Sequence, residues 1–180
     1  MRIFTIIATT TLLFLPAWLY ADDDDDDDDE RRGSRVAAVS QRLPTSAGLT
    51  QYQAECGSCH LAYPPGMLPK GSWVRLLDGL ADHFGENAEL DPEVRTSLGI
   101  WLGKNAAEQG THSTSKKVLK SARGESPLKI SELRFIKKEH DEIDPAVFKR
   151  PAVKTVANCG ACHLDAEQWS FSERRIEIPR

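Results

Sequence analysis

Methionine, cysteine and aromatic residues are all scarce in this 180-residue chain. There are two methionines, four cysteines and only 7 % aromatic residues. A hydrophobic share of 40 % is low for a body that must bury a core, so the interior would gain from an apolar component that no residue count includes. No long apolar run follows residue 20, which leaves no second candidate for a membrane span. No βαβ pattern is visible, and this argues against a thioredoxin-type redox domain. Apart from one five-residue motif described below, no internal repeat occurs.

Charge is unevenly distributed. Arg2 is the only charged residue before Asp22, whereas eight consecutive aspartates, Asp22 to Asp29, are followed by Glu30. Nine of the 27 acidic residues therefore lie in one short run, leaving 18 against 22 basic residues from Arg31 onward. The formal net charge of −4 thus averages an acidic tail and a body of +4.

Arg2, the apolar run from Ile3 to Tyr20 with Pro16 inside it, and the small Ala21 are the parts of a secretory signal peptide. Residues 1–21 are read as this leader, with residues 22–44 as the acidic run and a basic segment behind it. An uncleaved anchor is the alternative, and Pro16 with Ala21 favours cleavage. No cysteine follows the run, so a lipoprotein anchor is excluded. The expectation is a soluble periplasmic protein, without stable membrane insertion after cleavage and without a nucleic-acid partner.

All four cysteines fall in two copies of C-x-x-C-H: Cys56-Gly57-Ser58-Cys59-His60 and Cys159-Gly160-Ala161-Cys162-His163. This is the attachment sequence of c-type haem. Each thiol adds across one vinyl group, and two intervening residues match the vinyl separation. The adjacent histidine then lies where its imidazole can bind iron. A disulfide framework gives no reason for histidine after both pairs, and a zinc site would have to unite pairs about a hundred residues apart. Two covalent haem c groups are the expected cofactors, and they supply the missing apolar interior.

The rest of the chain reads as helical. Thr45 or Ser46 can cap a helix through Tyr52 that presents the first motif near its end. Pro64-Pro65-Gly66 forces a loop whose carbonyls are candidates to accept the Nδ1 proton of His60. Ser72 is a candidate cap for a second helix with an apolar stripe of Trp73, Leu76, Leu77, Leu80 and Phe84. Asp91 and Pro92 start a third, Glu93 to about Ala107, with Val94, Leu98, Ile100, Trp101 and Leu102 as its apolar content. The first haem lobe is placed at 45–109, a polar linker at 110–127 and the second lobe at 128–180. Residues Phe171 to Ile178 look extended.

Each iron needs a sixth ligand or an open position. His60 and His163 take the proximal sides, leaving His83, His112 and His140. Met67 lies seven residues after His60, beside the proximal face, and is read as packing. His83 flanks the apolar stripe and is favoured for the first iron. His140 follows Leu133 and Ile136 and is favoured for the second. His112, among polar neighbours, is read as solvated and is the remaining alternative to either.

Cys56 to Pro65, Leu80-Ala81-Asp82-His83-Phe84-Gly85, Glu139-His140, and Arg150-Pro151 ahead of Asn158 to His163 resemble the bacterial dihaem cytochrome c family over roughly residues 51–180. The resemblance implies a mainly α fold, with a class I cytochrome c-like helical lobe and a smaller, largely irregular haem lobe. It implies bis-histidine irons, His60 with His83 and His163 with His140. It also implies electron delivery to a small oxygen-binding monohaem cytochrome, with a membrane b-type cytochrome as donor. The aspartate run and the polar stretch at 110–127 fall outside the pattern.

The reading is an electron carrier with two low-potential haems, since a methionine ligand that would raise the potential is lacking. A small dihaem peroxidase would need an open iron and distal acid–base groups, and a haem-based gas sensor a ligand that leaves. The acidic run has two readings, a solvated tail or a screen over basic groups such as Lys116, Lys117, Lys120, Lys137, Lys138, Lys149 and Arg150. If it screens them, deleting residues 22–30 raises the association rate with an acidic redox partner, most of all at low salt. Stopped-flow mixing checks this, and an unchanged rate at low salt leaves the solvated tail.

Overall fold

Proline and glycine set where helices start and stop, and small residues set how closely they pack. The computed structural model describes residues 47–180. The leader, the aspartate run, the basic segment and the Thr45 or Ser46 cap lie outside the described residues. Within them the chain is mainly helical. Five α-helices, α1 (Ala47–Cys56), α2 (Lys70–Asp78), α3 (Pro92–Asn105), α4 (Ser113–Ala122) and α5 (Arg134–Glu139), are joined by short 3-10 turns. Among the described residues there is no strand, only isolated bridges between His83 and Glu86 and between His163 and Ile176.

Helices α1 and α2 both pack on α3. Tyr52, Leu68, Trp73, Leu77, Leu98 and Leu102 fill the space between them. Tyr52 is central, with Trp73 set edge-on at 6.1 Å and Trp101 at 5.4 Å. Its ring also meets Trp169, from the far end of the chain, at 6.5 Å. Pro92 occupies the first turn of α3, where its missing N–H costs nothing.

Several expectations differ in detail. Helix α2 starts at Lys70 rather than after Ser72, because the Glu108 carboxylate accepts the Lys70 N–H at 2.9 and 3.0 Å. That cap is 38 residues away in sequence. Ser72 instead sits buried inside α2. The stripe expected to reach Phe84 stops early: α2 ends at Asp78, and Leu80–Asp82 forms a 3-10 turn. Phe84 is 53 % exposed in a left-handed backbone conformation, φ 59°, with the Lys129 ammonium 5.3 Å from its ring centre. Ile100, counted with the apolar face of α3, is also exposed, while Leu98 and Leu102 carry the burial.

The polar stretch expected as a linker is largely helix α4. Its inner face is Ser115, Val118 and Ala122, with Val118 in a second small cluster beside Ala107 and Leu133. Only one of these inward residues is a large hydrophobe, so counting apolar positions sees lysines, serines and threonines instead. Helix α5 packs on α4, and the Ser121 hydroxyl accepts the Phe135 N–H at 3.1 Å. The C-terminal stretch is extended only in part, since Glu173–Arg175 forms a 3-10 turn before Ile176 pairs with His163.

Because Val118 is fully buried, Val118→Ala is expected to cost about 2 kcal/mol of unfolding free energy, combining lost transfer energy with a residual cavity. Urea titration followed by circular dichroism checks it; a loss within about 0.5 kcal/mol would mark the stretch as a surface linker.

Candidate functional site

Helix α1 delivers the first motif. Cys56 is its last residue, and the Gly57 N–H closes on the Gln53 carbonyl at 3.0 Å. A β-carbon on Gly57 would collide with that same oxygen, so the residue between the thiols must be glycine here. The second motif has a different support. Cys159–Ala161 is a 3-10 turn, and a β-carbon at Gly160 would meet nothing. This turn is held by the C-terminal segment: Glu177 N–H donates to the Cys162 carbonyl at 2.9 Å and Leu164 N–H to the Arg175 carbonyl at 3.0 Å. The Arg175 guanidinium hydrogen-bonds the Asp165 carboxylate and holds it below the usual carboxylate range. A depressed carboxyl stabilises above its unfolded value and loses that contribution as the pH falls through the folded one, so this clamp is intact at neutral pH.

Each motif histidine faces a second imidazole. His60 and His83 have ring centres 6.1 Å apart with planes 18° from parallel. His163 and His140 are also 6.1 Å apart, with planes at 73°. Metal–imidazole bonds of about 2 Å on each side, with each nitrogen roughly 1 Å in front of its ring centre, place two rings sharing one metal about 6 Å apart. Both gaps have that width. The four cysteines are free of disulfides, so their thiols are available for thioether bonds. The residues present therefore fit two covalently attached haems. Burial, with the facing His60, lowers the pKa of His83, and burial, with the facing His140, lowers that of His163. The neutral imidazole favoured in this way is the metal-binding form.

Second contacts differ among the four rings. His60 Nδ1 lies 2.8 Å from the Leu61 carbonyl and His140 Nδ1 lies 2.7 Å from that of Ile136. The carbonyls of the Pro64-Pro65-Gly66 turn, expected to hold His60, are used elsewhere: Pro65 accepts the Trp73 indole N–H at 2.8 Å and Pro64 the Met67 N–H at 2.9 Å. His163 Nδ1 is buried without a partner among the described residues. Phe171 packs on His163 at 5.4 Å, Phe148 on His140 at 6.3 Å and Phe84 on His83 at 4.8 Å. His112 is exposed at the start of α4, and Met67 is buried in the 3-10 turn Pro65–Met67.

Three consecutive carbonyls after His60 tie the two motifs together. Leu61 faces His60, Ala62 accepts the Trp169 indole N–H at 2.6 Å, and Tyr63 accepts the Tyr52 hydroxyl at 2.7 Å. The Tyr63 hydroxyl in turn donates to Ala157, two residues before Cys159, at 2.6 Å. Burial, with Cys159 adding to it, pushes Tyr63 up to about 12, so this donor keeps its proton at neutral pH. Burial also raises Cys56 to about 11, with Glu55 adding to the effect. Sequence reading passed over Tyr63 and Trp169. Their signal was present, since both are aromatic residues with a polar group, three and six residues after the motif histidines.

A mainly helical body with two such motifs, each facing a further imidazole, defines a c-type cytochrome with two attachment sites. A family model described as dihaem cytochrome c matches residues 52–171. Among solved structures, a diheme cytochrome c from Rhodobacter sphaeroides is 36 % identical with a TM-score of 0.62, covering 72 % of this chain and 98 % of that one. A diheme cytochrome c from Shewanella baltica OS155 is 34 % identical with a TM-score of 0.61, covering 74 % and 95 %. No curated protein sequence matches. The chain belongs to the dihaem cytochrome c family, which makes it a dihaem electron-transfer cytochrome carrying two covalently bound c-type haems. Among the described residues, no helix is long and apolar enough to cross a membrane.

Trp169→Phe keeps a ring against Tyr52 but strands the buried Ala62 carbonyl, and is expected to cost about 1–3 kcal/mol. Tyr63→Phe is expected to cost less, because Ala157 still accepts the Cys159 N–H at 3.0 Å. Denaturant unfolding of both variants checks the order.

Proposed function

We propose that the protein is a periplasmic electron carrier in which His60 and His83 bind one haem iron and His163 and His140 the other. Cys56 and Cys59, and Cys159 and Cys162, form the thioether bonds. The observation that carries this reading is the pair of 6.1 Å gaps between facing imidazoles. Each haem supplies one-electron storage as its iron cycles between ferric and ferrous states. In the resting protein the four histidines would hold the two irons and leave no position open to substrate. Two imidazoles with no thioether ligand favour low potentials. The leader at 1–21, cleaved on export, supports the periplasmic location. The first haem lobe at 45–109 and the second at 128–180 are part of this reading. The family resemblance supports a small oxygen-binding monohaem cytochrome as acceptor and a membrane b-type cytochrome as donor.

Electron paramagnetic resonance of the oxidised protein tests the ligation. Two low-spin signals of different shape are expected, because near-parallel and near-perpendicular imidazole planes split the iron orbitals differently. His83→Ala and His140→Ala should each convert one signal to high spin and leave the other in place. Low-spin signals unchanged in both variants would remove the assignment.

A further inference from the structure

The two proposed non-motif ligands are held in unlike ways. His140 closes the C-terminal end of α5. Its N–H donates to Lys137, its carbonyl accepts from Ile143, and its Nδ1 lies against the Ile136 carbonyl at 2.7 Å. Buried residues anchor the chain on both sides of it, Leu133 and Val147. Around His83, Leu80 and Leu90 are only half-buried against the core, and the ring itself has less support. Its ring makes no hydrogen bond among the described residues. The turn around it closes mostly on itself, through His83 N–H to Glu86 at 2.7 Å, Gly85 N–H to the Asp82 carboxylate at 2.9 Å and Ala88 N–H to Leu80 at 2.8 Å.

Backbone strain adds to the contrast. Phe84 takes φ 59° and Gly85 φ 99° directly after His83. A left-handed conformation is costly for an aromatic residue, so strain is stored directly beside the His83 ring. A metal-bound imidazole is normally oriented by a partner on its other nitrogen, which also raises its basicity as a ligand. His140 has that partner, whereas His83 does not. His163 lacks one too, but its neighbour Cys162 anchors it to the haem.

We propose, building on the bis-histidine reading, that His83 is the releasable ligand and that the position it vacates, facing His60, is a binding site for a small neutral π-acceptor ligand such as carbon monoxide or nitric oxide. His140 stays in place and keeps the second site closed. The exchange breaks one iron–imidazole bond and makes one bond to the incoming ligand. No electron is transferred, and the released imidazole stays on its turn. A surface turn whose hydrogen bonds close within itself is the kind of unit that opens locally without global unfolding. The same chain then combines a closed electron-storage site with a site that opens to ligand.

The test mixes the dithionite-reduced holoprotein with carbon monoxide in a stopped-flow spectrometer. The wild type is expected to take up one ligand per chain, in a slow phase whose rate saturates with carbon monoxide because departure of His83 limits it. His83→Ala should lose the slow phase and show a fast, concentration-dependent one of equal amplitude. His140→Ala should keep the slow phase and add a fast one. A slow phase that survives in His83→Ala but vanishes in His140→Ala would overturn the proposal, as would no uptake, or two ligands per chain, in the wild type. Should His83→Ala fail to mature, His140→Ala decides alone, since loss of its slow phase overturns the proposal. Failure of the underlying bis-histidine reading is distinguishable, because it shows as a high-spin signal in the resting oxidised wild type before any carbon monoxide is added.

Discussion

Two imidazoles that are to share one metal must stand about 6 Å apart and face each other, and the structure holds two pairs of histidine rings at that separation. In each pair one ring comes from the residue beside a thiol pair, where attachment chemistry fixes it. The other must be brought by a distant element. For the first pair that element is the turn after α2; for the second it is the end of α5. The helices matter chiefly as supports for these rings, which explains why short 3-10 turns can replace regular structure around the second motif.

The strap of residues 61–63 makes the two sites one structure. Its three carbonyls accept from the His60 ring, Trp169 and Tyr52, while the Tyr63 hydroxyl reaches the chain just ahead of Cys159. Trp169 therefore packs with the core of the first half although it follows the second motif. The relative position of the two motifs is thus set by a few hydrogen bonds in a half-buried environment, where each is worth more than on the surface.

Much of this was legible in residues alone. The two C-x-x-C-H motifs carry their chemistry in their spacing, and Asp91-Pro92 announces α3 because proline fits the first turn of a helix. The facing partners His83 and His140 were legible by elimination, since so few ligand-type residues exist. Other elements were hidden. Ser72 looked like a cap because it is the right residue type, yet the carboxylate of Glu108 takes the capping role from across the fold. Helix α4 was read as a linker because its buried face is built from serine, alanine and a single valine. Phe84 was assigned to a core stripe because periodicity does not show where a helix ends.

The sequence by itself determined the cofactor chemistry and the helical class, because each depends on residue identity and short-range spacing. Tertiary structure alone decided how those groups are supported. It set the near-parallel and near-perpendicular ring pairs, gave His140 a carbonyl partner and left His83 without one. It also clamped the post-motif strap to both halves of the chain. These are contacts between residues up to 107 positions apart, and their geometry depends on how the whole chain packs, which no local pattern encodes.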